Sequence, residues 1–228
     1  MKKHFMKLMA AFLAMILMAA ALPVEASAAG NLDGKLPDAG KFRLKYNIPE
    51  DKKLLLCISR IDYQKNQKIL LELLKKYDDT HLLLIGPVTA QWYLDEILTE
   101  AENADTKKRL TIIPGLPPDS IELLQALKTA YCFILPSRHE PFGIAALEAL
   151  DAGLPLIASA VGGLRDFLFD GENALLFEDN NVDSLLKAYN RLDSLQEQII
   201  AGGRVTAAEY NWQSISAKLT DIYRRLLQ

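Results

Sequence analysis

Two cysteines and three histidines are all that this chain of 228 residues offers for thiol or imidazole chemistry. Cys57 and Cys132 lie in apolar runs, with no metal-ligand spacing and no paired motif. That argues against a zinc site or a disulfide scaffold, and both thiols are expected to be small buried apolar groups. The formal charge is only −3, with acids and bases interspersed and no basic stripe, so a nucleic-acid surface is not expected. Internal repeats and low-complexity segments are also lacking. The one long apolar run, Leu8 to Leu22, falls short of the roughly 20 residues that span a bilayer, which disfavours a permanent transmembrane helix. What remains is an ordinary α/β composition in which half the residues are hydrophobic, ample for a full core.

The first thirty residues differ from the rest. Lys2, Lys3 and Lys7 precede the apolar run, and Pro23 and the small residues Ala26-Ser27-Ala28-Ala29 follow it. This order is that of a secretory signal peptide, with cleavage expected after Ala28. Residues 1–28 are therefore read as a leader, 29–41 as a linker carrying Asp33-Gly34, Pro37 and Gly40, and 42–228 as one domain.

Within that domain, short apolar runs alternate with helical patterns. Strands are expected at Leu54–Ser59, His81–Ile85, Leu110–Ile113, Tyr131–Leu135, Leu156–Ser159 and Ala174–Phe177. Helices are expected at Lys65–Tyr77, Ala90–Ala104, Ser120–Leu127 (capped by Asp119), Gly143–Asp151 (closed by Gly153), Val182–Asp193, Ser194–Glu209 and Trp212–Leu227. Continuous apolar strands separated by helices predict a doubly wound, Rossmann-like parallel sheet. Ligands of such sheets sit beyond the carboxyl ends of the strands. That rule singles out five loops: Arg60–Lys65, Gly86–Ala90, Pro114–Pro118, Pro136–Gly143 and Ala160–Gly163.

Polar groups concentrate in those loops. Arg60 and Lys65 can converge on one anion, although solvated loop charges are the commoner fate of such residues. Glu140 lies in the fourth loop and Glu148 two turns into a helix that is apolar nearly all round, Ile144-Ala145-Ala146-Leu147 and Ala149-Leu150. A helix of that kind is expected to be buried. A lone carboxylate in it would be costly without partners. A hydroxyl-rich ligand could supply them, and so could a backbone group or a nearby arginine. The amides of Phe142, Gly143 and Ile144 would stand at the helix N-terminus, a natural anion site. Gly162-Gly163 after the fifth strand is read first as a turn and second as a phosphate cradle.

Taken together these motifs resemble the donor-binding, C-terminal domain of the GT-B retaining glycosyltransferases of family 4, the glycosyl transferases group 1. Ser59-Arg60-Ile61-Asp62-Tyr63-Gln64-Lys65-Asn66 is similar to that family's diphosphate loop. Glu140-Pro141-Phe142-Gly143 with Glu148 is similar to its Glu-x7-Glu motif. Pro136-Ser137, Gly153-Leu154-Pro155, Gly162-Gly163 and Asp170-Gly171 follow in the family's order. The resemblance runs from Phe42 to the C-terminus. It implies that Arg60 and Lys65 hold the donor diphosphate, that Glu140 bonds the sugar hydroxyls, and that Glu148 bonds the ribose. Phe142, Gly143 and Ile144 would offer backbone amides, and Ile113–Gly115 would flank the base. Breaking a sugar–phosphate bond leaves an oxocarbenium-like sugar and an anionic diphosphate, which two fixed cations and a helix N-terminus can stabilise. No metal cofactor is implied, and no Asp-x-Asp motif is present.

The departures from the family pattern are Ser59 and Asn66, each in place of a usual glycine, and an acceptor-binding half that has no counterpart in these motifs. His4, His81 and His139 are misplaced to serve as the catalytic histidine of that half. The resemblance therefore implies a hexosyl-transferring domain that is inactive alone and needs an acceptor-domain polypeptide. It further implies that Trp212–Gln228, which would cross to that domain, exposes apolar residues and favours self-association or a partner. A binding module that holds a nucleotide sugar without transferring it, or a truncated gene remnant, is the alternative. An epimerase of similar fold is disfavoured by the Glu140–Glu148 pair. The leader points to export or membrane association, whereas nucleotide sugars are cytoplasmic.

Overall fold

The computed structural model describes residues 39–117, 120–210 and 212–226. The leader, most of the linker and the Asp119 cap lie outside these residues. Six strands among them form one sheet: β1 (Lys53–Ile58), β2 (Thr80–Ile85), β3 (Leu110–Ile113), β4 (Cys132–Leu135), β5 (Leu156–Ser159) and β6 (Leu175–Phe177). Their order is β3-β2-β1-β4-β5-β6, and every neighbouring pair is parallel. The chain winds outward from β1 in one direction and from β4 in the other. The switch point of this doubly wound, Rossmann-like sheet therefore lies between β1 and β4, where ligands of such folds bind.

Eight α-helices among the described residues accompany the sheet: α1 (Ala39–Lys45), α2 (Leu71–Lys76), α3 (Gln91–Asn103), α4 (Ile121–Thr129), α5 (Ile144–Asp151), α6 (Val182–Asn190), α7 (Leu192–Glu209) and α8 (Trp212–Leu226). Successive residues of a strand face opposite sides, and β1 divides its side chains accordingly. Leu55 and Cys57 pack with α2, α3 and α6 in one core, while Leu54 and Leu56 pack with α1, α4 and α5 in the other. The strands are continuous apolar runs because both faces are covered. Cys57 and Cys132 are buried and free, as expected of small apolar groups, and burial pushes the Cys57 thiol up to about 11.

Several local expectations are corrected. Helix α1 begins at Ala39, inside the stretch read as linker, because Phe42 is buried in the core and Arg43 bonds Thr129, Pro49 and Lys52. The single helix expected over Lys65–Tyr77 is two 3-10 turns, Tyr63–Lys65 and Gln67–Leu70, followed by α2. Asn66 separates the turns with a left-handed backbone, φ 54°. That conformation suits glycine best and asparagine next, which accounts for Asn66 where the family's loop carries glycine. The cap observed at the start of α4 is Ser120, whose side chain accepts from the Leu123 amide at 3.2 Å.

Helix α5 is not buried all round. Ala146, Ala149 and Leu150 enter the core, but Ile144 is 63% exposed and Glu148 is exposed. Four residues apart, these two share one helical face. Apolar residues are also uncovered on α8, where Ile222 and Leu226 are exposed one turn apart. No helix among the described residues is long and apolar enough to cross a membrane.

Candidate functional site

The loops after β1 and β4 meet at the switch point. Asp62 organises the first of them. Its Oδ1 accepts from the amides of Gln64 at 2.9 Å and Lys65 at 3.2 Å, capping the 3-10 turn that presents Lys65. Its Oδ2 lies 3.2 Å from the Arg60 guanidinium and accepts from the Thr89 hydroxyl at 3.2 Å. Behind the loop, buried Gln67 donates to Ser59 Oγ and to the Arg60 carbonyl. One carboxylate thus ties down both candidate cations. An Asp immediately ahead of a helical turn is the signal in sequence that could have singled it out.

The second loop contributes Glu140. Its Oε2 accepts from Lys65 Nζ at 2.6 Å and from Ser137 Oγ at 3.3 Å. The Lys65 and Glu140 side chains are only 14% and 11% exposed. A backbone bond from the Arg138 amide to the Gln64 carbonyl, 2.7 Å, holds the two loops together, and the Arg138 guanidinium lies over the Tyr63 ring at 4.5 Å.

The double glycine after β5 forms a seat for this second loop. The Gly163 amide donates to the Glu140 carbonyl at 2.9 Å. Gly162 has a left-handed backbone, φ 49°, and a Cβ there would stand 2.1 Å from the same carbonyl oxygen. Any side chain would displace the loop that carries Glu140. Gly143, φ 101°, precedes α5 and would drive a Cβ to within 2.4 Å of Leu164. It turns the chain immediately ahead of α5.

Of the predicted site residues, the structure brings Lys65 and Glu140 into contact. Arg60 belongs to the same loop as Lys65 but is half exposed and engaged by Asp62. Phe142 packs against Phe167 and Tyr210, with ring centroids 5.7 Å and 6.0 Å away. The Glu148 carboxylate has no hydrogen-bond or ion-pair partner among the described residues. Desolvation raises its carboxyl pKa above the ordinary glutamate value. His81 sits at the opposite edge, buried at the start of β2 with Nε2 2.8 Å from Thr111 Oγ1. Burial, then Arg43 and Arg109, push its pKa down to about 4. Such an arrangement can hold an anion at Lys65 and Arg60 while offering an acceptor carboxylate beside it.

Comparison with known proteins bears on the family and the fold. The sequence profile of "Glycosyl transferases group 1" matches residues 38–205. An uncharacterised glycosyltransferase from Methanocaldococcus jannaschii is 27% identical over 190 residues, which covers 80% of this chain and 47% of that protein. Sucrose-phosphate synthase from Thermosynechococcus elongatus is a structural neighbour with a TM-score of 0.70 and 27% identity, covering 82% of this chain and 49% of its own. HepE from Anabaena, solved with UDP and glucose, has a TM-score of 0.74 at 19% identity, with coverage of 82% and 52%, a likeness of fold. The chain spans about half the length of these proteins. The fold, the ordered motifs and the extent of the profile match lead to one assignment: this chain belongs to the glycosyl transferases group 1 family and has the Rossmann-like architecture of a GT-B half.

Proposed function

We propose that this domain binds a nucleoside-diphosphate sugar at the carboxyl edge of β1 and β4 and serves hexosyl transfer with retention of configuration, in concert with an acceptor-binding domain. The observation that carries the reading is the Lys65–Glu140 contact across the switch point. In this reading Lys65 and Arg60 hold the diphosphate, Glu140 accepts from sugar hydroxyls, and Glu148 accepts from the ribose. The amides of Phe142, Gly143 and Ile144 add the positive end of α5. As the bond from the anomeric carbon to the diphosphate breaks, its electron pair moves onto the diphosphate, where the cations stabilise it without a metal. The acceptor hydroxyl attacks on the face being vacated, and its proton leaves with the diphosphate. HepE's complex with UDP and glucose supports this choice of ligand. The boundaries proposed with it are a leader over 1–28 and a donor domain that takes in α1 from Ala39.

A second reading is a module that binds the nucleotide sugar without transferring it. Holding both reactants in one geometry can supply roughly 7–11 kcal/mol of a barrier, and a donor domain alone forgoes most of that. The purified chain, offered radiolabelled UDP-, GDP- and ADP-sugars with simple acceptors, is expected to bind one donor and to hydrolyse it slowly at most. Adding the acceptor domain should restore transfer. Rapid transfer by the monomeric chain alone would remove the need for a second domain, and absence of donor binding would remove the nucleotide-sugar reading.

A further inference from the structure

We infer that the Lys65–Glu140 pair makes this site select the intact sugar nucleotide over the nucleoside diphosphate that remains after transfer. The inference rests on the donor-site reading above and concerns what each ligand does to the two buried charges. Lys65 Nζ has no other partner among the described residues, and the Glu140 carboxylate has only the Ser137 hydroxyl besides it. Both side chains are nearly enclosed, 14% and 11% exposed.

Separating two such charges is unfavourable unless each finds a new partner, because an uncompensated buried charge is strongly destabilising. Rearrangement of the loops offers little relief. The Arg138–Gln64 backbone bond fixes the two loops to each other, and Gly162-Gly163 leaves no slack beneath Glu140. Asp62 cannot take over Lys65 readily, since its Oδ1 caps the backbone and its Oδ2 faces Arg60 and Thr89.

A bare diphosphate that draws the Lys65 ammonium away leaves Glu140 buried with a single hydroxyl. A sugar nucleotide brings phosphate oxygens for Lys65 and hydroxyls for Glu140 in one molecule, so both charges are satisfied. The same pair that yields to the donor re-forms when the sugar has gone, and its re-formation helps expel the product.

The test is calorimetric titration of the full chain with UDP, GDP and ADP, and with UDP-glucose, GDP-mannose and ADP-glucose. The base that binds is carried forward. Wild type is expected to prefer the sugar conjugate over the bare diphosphate by about tenfold or more, the equivalent of ~1.4 kcal/mol. Glu140→Gln removes the competing charge. It should bind the bare diphosphate and inorganic pyrophosphate more tightly, bind the conjugate less tightly, and bring the preference to within about threefold. Glu140→Asp keeps the charge and retracts it by one methylene, so its preference should fall between the two. A thermal melt identifies a variant that fails to fold, and Glu140→Asp then decides alone. A folded variant with the wild-type preference would overturn the inference and leave the donor site standing. Failure of wild type to bind any of the six nucleotides would overturn the donor site itself.

Discussion

Glu140 and Glu148 belong to one motif and one stretch of chain, yet the fold treats them in opposite ways. Glu140 is buried, bonded by Lys65 and Ser137, and seated on the double glycine. Glu148 stands on the exposed face of α5 beside Ile144, with no partner among the described residues and with its carboxyl pKa raised by desolvation. The first is built into the domain's own framework, so its removal disturbs both stability and binding. The second contributes nothing visible to the framework, so a change there should be read mainly in ligand affinity. Retention of an unpartnered carboxylate on an apolar face is understandable if something outside these contacts pairs with it.

The strongest test of this contrast is Lys65→Ala. It leaves Glu140 buried without its counter-charge, and breaking a buried pair in this way costs about 3–5 kcal/mol. A fall of several degrees in melting temperature is expected, together with loss of diphosphate affinity. A small fall would mean that Glu140 is better solvated than its burial indicates.

Arg60→Ala should separate the two properties. Its pair with Asp62 is half exposed and contributes at most about 1 kcal/mol to stability. In the proposed donor site its bond to a phosphate would be of the charged kind, about 1.5–3 kcal/mol, so nucleotide affinity should drop about tenfold or more. Calorimetry showing unchanged affinity would move Arg60 out of the site.

Asp62 sharpens the comparison at the level of the backbone. Asp62→Ala removes the cap beneath Lys65 and should cost about 1 kcal/mol in chemical denaturation. Asp62→Asn keeps an acceptor for the two amides and should recover most of that stability. Equal losses in both variants would assign the effect to charge on Arg60 rather than to the cap.

The smallest effect is expected at Glu148. Because its folded pKa is raised above the unfolded value, ionisation in the folded state is unfavourable. Stability therefore rises as pH falls through that raised pKa, and the gain is complete below the ordinary glutamate range. Glu148→Gln should abolish this dependence, leave the melting temperature at neutral pH unchanged or slightly higher, and weaken nucleotide binding. A large loss of stability with normal affinity would make Glu148 a structural carboxylate after all.

The sequence by itself determined the sheet. The apolar runs at Leu54, His81, Leu110, Tyr131, Leu156 and Ala174 each contain a strand within one or two residues, because a strand buried on both faces has little choice of composition. Motif order was equally legible, and the profile match places the chain in the family that order resembles. Asn66 was legible as a glycine substitute, and the reason is its left-handed backbone. Only the tertiary structure decided which charges meet. Lys65 and Glu140 are seventy-five residues apart in the chain and come together because β1 and β4 are neighbours in the sheet. Asp62 emerged as the residue that holds the Arg60 guanidinium and the Lys65 backbone amide at once, a pairing that the folded loop decides. The burial of α5 was misjudged for a related reason. Periodicity reports how apolar a helix is, whereas the packing of its neighbours decides which of its faces is left open, here the one bearing Ile144 and Glu148.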